Sequence, residues 1–220
     1  MNLTRPVALA GLLTAGAAAI GVWAYVTLPA AARIAINYHG PGEAPDGTVP
    51  KAVGLAIMPA VSAIVTVSLA LAPYRARLIK GFEASSSAYG LLVTSLAALF
   101  LVTEGALVGQ AMDPAFDALR WVFLAAAVLL MLVGNTLGKV RHNDIFGVRT
   151  PWTLADARVW DKTHRFTGRL MVLGAAALAA LAVIWPNHPL LIAALVLAAA
   201  GPMLAGAVYS RHIAPVPAAD

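Results

Sequence analysis

The side chains with the most chemistry to offer fall in three places along the chain. Between Lys139 and Arg169 lie His142, Asp144, Asp156 and His164, the imidazoles and carboxylates that ligate metals or move protons. Their spacing argues against a metal. No H-x-x-x-H or H-E-x-x-H pair occurs, and seven basic residues in the same stretch repel a cation. Hydrolysis needs a nucleophile beside an activated base, and no G-x-S-x-G or equivalent is present. No metal, no cofactor and no catalytic residue is therefore expected. An enzyme acting on lipid or peptide through His164 and Asp156 remains an alternative. So do a partner-docking or pore-lining surface and an interfacial segment that merely anchors the protein.

The second place is the stretch 29–51. Arg33 to Tyr38 alternates enough for a short extended segment, and Gly40-Pro41-Gly42 and Pro45-Asp46-Gly47 are turn chemistry. His39, Glu43, Asp46 and Lys51 would meet there on one binding face, or would simply be solvated charges on a rigid turn. The third place is Glu104, inside an apolar run. An ionisable residue within a span is a functional candidate, although Glu104 is near enough to the end of its run to reach the interface. Asn135, in the next run, is expected to hydrogen-bond between helices.

The elements that must position these residues follow from composition. Of the 220 residues, 60% are hydrophobic and 11% charged, with no cysteine, and the mean hydropathy is +0.81. Soluble domains carry about 25% charge, so a water-soluble globule is excluded, as are a disordered chain and a disulfide scaffold. Six apolar runs are long enough to span a bilayer: 7–28, 52–72, 88–108, 119–138, 170–185 and 189–209. The fifth is short and would borrow a turn from Thr167–Arg169. Arg5, the first run and Ala30-Ala31-Ala32 mimic a cleavable secretory signal, but a run of roughly 22 residues is longer than a signal core. It is read as a span.

Placing both termini in the cytoplasm puts 12 of the 15 basic residues on inner segments, leaving Arg33, Lys51 and Arg120 outside. The net charge of +5 then reflects inner loops facing anionic lipid rather than nucleic acid. Charge is concentrated as well as scarce. The inner loop 139–169 holds seven basic and three acidic residues, ten of the 25 in the chain.

Within that loop, Thr153-x-x-Asp156 reads as a capping-box-like helix start running into the fifth span. Pro151 makes Thr150 extended. Asp156, Trp160 and His164 share one helix face, Asp161 precedes Arg165 by one turn, and Trp152 and Trp160 suit the head-group layer. Pairs such as Gly105-x-x-x-Gly109 and Gly134-x-x-x-Gly138 indicate a packed bundle.

One ordered pattern runs through this region: Gly134-Asn135, Asn143, Gly147-Val148-Arg149-Thr150-Pro151-Trp152-Thr153-Leu154, Val159-Trp160, Thr163-His164-Arg165 and Gly168. It resembles the SdpI family, bacterial integral membrane proteins named for an immunity protein against a secreted toxic peptide. The segment from Leu28-Pro29 through His39, Gly42-Glu43, Pro45-Asp46-Gly47 and Lys51 to Pro59 is similar to a companion N-terminal domain of unknown function, though Arg33-Ile34-Ala35-Ile36-Asn37-Tyr38 carries no proline before the histidine.

The resemblance implies an immunity or resistance protein of the bacterial cytoplasmic membrane. A toxic peptide or membrane-active agent would be its ligand and a cytoplasmic transcriptional repressor its signalling partner. It also places function at Asn143, Arg149, Trp152, Trp160 and His164, and supplies no catalytic residue. The expected fold is all-α, a polytopic membrane helix bundle with about six transmembrane helices and both termini cytoplasmic. Residues 1–72 would form a two-span unit and 73–220 a four-span unit. A small transporter or channel, motivated by Glu104 and the glycine-punctuated spans, is the alternative function.

Overall fold

The computed structural model describes residues 3–37, 47–76, 85–143, 146–186 and 188–215. Their order is α1 (Thr4–Thr27), β1 (Arg33–Asn37), β2 (Gly47–Pro50), α2 (Lys51–Ala76), α3 (Ser86–Met112), α4 (Ala118–Leu137), α5 (Pro151–Ala155), α6 (Ala157–Ile184) and α7 (His188–His212). All except α5 among these helices are long and apolar enough to cross a membrane, so the six expected spans are present. The chain is a multi-pass, all-α membrane protein with one small hairpin.

Most spans are apolar on every side, as lipid-facing helices are. Large side chains such as Leu12, Val26, Ile64, Leu173, Leu197 and Leu204 point outward. Small residues point inward. The buried stripe of α1 is Ala10, Ala17, Gly21 and Ala24, which lets its backbone come close to its neighbours. In lipid this close packing, rather than exclusion of water, drives helices together. Short polar links supplement it: Thr14 and Ser62 hydroxyls are 2.7 Å apart between α1 and α2, and the Tyr89 hydroxyl of α3 donates to the Leu69 carbonyl of α2 at 2.6 Å.

α1 packs on α2 and α3, α3 continues onto α4, and α4, α6 and α7 pack on one another. Alternating crossings leave the hairpin and the α3–α4 and α6–α7 connections at one end of the bundle. Both described termini and the 138–156 connection lie at the other, called here the loop end.

At the hairpin end, β1 and β2 pair antiparallel, with Ile34 opposite Val49 and a register irregularity between Ala35 and Asn37. The extended segment expected from Arg33 is therefore present, and it finds a partner strand. Ile34 is fully buried over Gly54 of α2, where an added Cβ would collide with it. Arg33 reaches across to Thr48, its Nε donating to the hydroxyl at 2.7 Å and its Nη2 to the carbonyl at 2.9 Å. On the other half of that end, His188 Nε2 is 3.3 Å from the Asp117 carboxylate, and Arg120 donates to the Val183 carbonyl at 3.1 Å.

Two expectations need correction. The fifth span begins at Ala157, not near Leu170. Hydropathy registers only its apolar part, but Val159, Trp160, Thr163, His164, Thr167 and Gly168 form a buried helical stripe that carries the helix back into the polar loop. The capping motif is also displaced. Thr150 and Thr153 form the reciprocal capping box that opens α5, with Pro151 at its first position. Asp156 instead ends α5 and caps α6, accepting from the Arg158 and Val159 amides at 2.6 and 3.3 Å.

Candidate functional site

The sequence between α4 and α6 folds back over the loop end and is bolted there by buried polar contacts. Its centre is Trp160, with none of its surface exposed. Trp160 Nε1 donates to the Val140 carbonyl at 2.9 Å, fixing the start of the loop onto α6. The His164 ring stacks on the indole with centroids 4.0 Å apart, and the His142 ring meets it edge-on at 5.1 Å. His142 Nε2 lies 3.1 Å from the Leu154 carbonyl.

His164 is equally buried and uses both ring nitrogens. Nδ1 donates to the Trp160 carbonyl one turn earlier at 2.9 Å, and Nε2 accepts from the Val148 amide at 3.0 Å. One nitrogen donates and the other accepts, so the imidazole is the neutral Nδ1–H tautomer. It has no free lone pair for a metal and none for abstracting a proton. Gly147 explains how the backbone reaches it. Its φ is +122°, and a Cβ at this position would collide with His164 Nε2. Only glycine satisfies both the positive φ and the close approach.

The next residues continue the same logic. The Thr153 hydroxyl donates to the Val148 carbonyl at 2.8 Å, and the Thr150 hydroxyl is 2.9 Å from that of Ser210 on α7. Asn143, also buried, donates from Nδ2 to the Arg141 carbonyl at 2.8 Å and accepts from the Phe146 amide at 3.0 Å. The loop is thereby tied to α6, to α7 and, through the Arg141 amide on Ser85 Oγ at 3.2 Å, to the start of α3.

Of the residues singled out in the sequence, this core unites Asn143, Gly147, Trp160 and His164, with Asp156 as a helix cap. Trp160 is thus an interior anchor and not the head-group residue expected of it, because its indole N–H has a carbonyl to meet inside the protein. Arg149, Pro151 and Trp152 lie outside the core on an exposed ledge, where the Arg211 guanidinium is 6.0 Å from the Trp152 ring.

Gly168 belongs to a separate contact, the crossing of α6 with Gly134 of α4. A Cβ on Gly134 would lie 2.8 Å from the Gly168 carbonyl oxygen, so this glycine pair is a close backbone crossing. Asn135 does not bond between helices. It is exposed beside that crossing and has no hydrogen-bond partner among the described residues.

Elsewhere, the structure separates the remaining candidates from the loop core. Lys51 is at the hairpin end, where Nζ donates to the Tyr25 and Leu28 carbonyls, both at 2.7 Å, and lies over the Tyr25 ring. It closes the C-terminus of α1, as a cation there should. His39, Glu43, Asp46 and Asp144 lie outside the described residues. Glu104 does not reach the interface. It is fully buried where α3 meets α1 and α2, near Gly21 and Leu55, and among the described residues neither carboxylate oxygen has a hydrogen-bond partner.

Four residues that were not candidates for the site also hold the loop: Thr150 and Val148, inside the ordered pattern, and Val140 and Ser210, outside it. Thr150 had a readable signal, since Thr-Pro is a common helix opening. The other three act through a backbone amide, a carbonyl or a lone hydroxyl, which no side-chain pattern reveals. Among the described residues no group of three potential metal ligands comes together.

Comparison with known proteins points to the same region. Residues 139–206 match the SdpI/YfhL protein family, so the resemblance read from the residues holds for the segment containing the loop core. The immunity protein SdpI of Bacillus subtilis (strain 168) is 36% identical over 50 residues, 23% of this chain and 24% of that relative. The chain therefore aligns with about a quarter of that relative's length. No solved structure matches.

Proposed function

We propose that this protein is a non-enzymatic immunity factor of the bacterial cytoplasmic membrane that protects its cell against a toxic peptide or membrane-active agent. One observation supports the reading: the segment that matches the SdpI/YfhL protein family, residues 139–206, is the one built around Trp160 and His164. The chemistry of that core supports a binding scaffold over catalysis, because His164 has both nitrogens engaged and Asp156 caps a helix. The core presents Arg149, Pro151 and Trp152 outward as a ledge beside Arg211. In this reading the ledge receives a cytoplasmic repressor when the protein signals, and the face around His39, Glu43, Asp46 and Lys51 meets the toxic agent outside.

The test is protection. Expressed in a bacterium sensitive to such a peptide, the chain should raise survival, and killing that is unchanged despite confirmed membrane insertion would refute the reading. Arg149→Ala with Trp152→Ala separates the two roles. Signalling should be lost in this variant while the protein remains inserted.

Transport is a second reading, favoured by the fully buried carboxyl of Glu104, which has no hydrogen-bond partner among the described residues. Proteoliposome flux that depends on a substrate and disappears in Glu104→Gln would support it. Flux indistinguishable from empty vesicles would remove it.

A further inference from the structure

At the loop end, three cations converge on the crossing of α4 and α6. Arg165 and Arg169 are one turn apart on α6, and Lys139 directly follows Gly138 at the C-terminus of α4. With Asn135 they rim a groove of about 640 Å³, whose membrane-side wall is Val172 and Leu173. Glycines make this space. Gly134 and Gly168 bring the two backbones together, and the aliphatic stem of Arg165 lies across Gly138, where a Cβ would sit 3.2 Å from Arg165 Cγ.

Three features define what the groove would hold. The cations are exposed, and among the described residues none has an ion-pair partner, so their charge is available to an anion. Arginines present forked donors suited to phosphate oxygens, and the Asn135 amide adds one more donor. Finally, the surface turns apolar one helical turn beyond Arg169, at Leu173, which is 66% exposed. A small soluble anion would use the rim and leave that wall bare. A phospholipid would use both.

We propose that this groove is a binding site for an anionic phospholipid. Its phosphate is held by Lys139, Arg165, Arg169 and the Asn135 amide, and an acyl chain lies along Val172 and Leu173. Basic pockets between spans at the head-group level recognise lipid in this way. The net positive charge selects an anionic head group over a zwitterionic one. The site is separate from the ledge and stands whether or not the protein confers immunity.

The test is native mass spectrometry on the full chain in detergent, with phosphatidylglycerol, phosphatidylcholine of the same acyl chains, and glycerol phosphate as a head group without chains. Phosphatidylglycerol should be retained at least about five-fold over phosphatidylcholine, since each basic contact contributes about 1 kcal/mol. K139Q/R165Q/R169Q should abolish the preference, and R141Q/R158Q, outside the groove, should keep it. Equal retention of the two lipids, or an undiminished preference in the triple variant, overturns the proposal. Competition by glycerol phosphate at the lipid's own concentration assigns the site to a soluble phosphate and overturns the lipid assignment.

The unmodified protein provides a check that does not depend on folding of the variants. A photoreactive phosphatidylglycerol in vesicles should label residues 134–139 and 165–173 above all others. Labelling spread evenly over the spans would overturn the site.

Discussion

The amide of Val148 donates to Nε2 of His164, sixteen residues further along the chain, at 3.0 Å. The same ring donates its one N–H, on Nδ1, to the Trp160 carbonyl and lies flat on the Trp160 indole. A residue of the kind that usually signals acid–base chemistry is here a structural pin, and the fold of the 139–156 segment depends on it. Most of what can be measured on this protein follows from that pin and from the glycines that let backbones reach it.

His164→Ala removes the acceptor for the Val148 amide and opens a space beside the indole. An unsatisfied buried amide costs about 1–3 kcal/mol, and the cavity adds to it. The melting temperature in detergent should fall, and limited trypsin treatment should newly cleave at Arg141 or Arg149. A cleavage pattern identical to that of the unmodified protein would mean that the loop does not depend on His164. Nitrogen-15 spectra of labelled histidine should show one ring held as the Nδ1–H tautomer, as its two hydrogen bonds require.

Gly147→Ala should be as damaging as losing the histidine, for two separable reasons. The φ of +122° strains any residue with a Cβ, and that Cβ strikes His164 Nε2. Combining Gly147→Ala with His164→Ala removes the clash but keeps the strain. The double variant should therefore lose less than the sum of the two single losses. Strict additivity of the melting shifts would show that the two positions do not touch.

At the α4–α6 crossing, Gly134→Val places a branched side chain against the Gly168 carbonyl and Met171. Overpacking of this kind costs about 1–3 kcal/mol, and in a bundle held by close backbone contact it should reduce the folded fraction on size exclusion. Gly105→Val is the control, because a Cβ at Gly105 meets nothing within 4 Å. Equal behaviour of the two variants would contradict the crossing.

Thr150→Ala removes the side-chain cap of α5 and the contact with Ser210, a loss of about 1 kcal/mol. Thr150→Ser retains both. The difference should appear as faster amide exchange over 150–156 in the alanine variant only, and equal exchange in both would exclude a capping role.

Because the chain has no cysteine, its orientation can be tested with single substitutions. Thr48→Cys in the hairpin should react with a membrane-impermeant maleimide on intact cells. Arg149→Cys should react only after lysis. The reverse pattern would invert the assignment made from lysine and arginine.

Much of this architecture is legible along the chain, and the reason is physical. A bilayer core demands about 20 apolar residues per crossing and internal hydrogen bonding of every backbone group. Each span is therefore a local property, a sum over neighbouring residues, and so are the alternating β1 strand and the proline that makes Thr150 extended. The concentration of charge in 139–169 and the motif running through it also mark, without coordinates, where the polar structure lies.

Three dimensions decide what those residues do. Hydropathy places the start of α6 too late, because burial of one helical face by Trp160, Thr163 and His164 depends on partners distant in the chain. Trp160 looks interfacial until a carbonyl at Val140 satisfies its indole. Of the two positions open to Glu104 its carboxyl takes the inner one, beside Gly21, whereas the Asn135 amide, expected between helices, turns outward onto a basic groove. Side-chain type states which bonds a residue can make. Whether it makes them with backbone, lipid or solvent is set by which helices meet, and that is decided when glycine and alanine stripes find each other within the membrane.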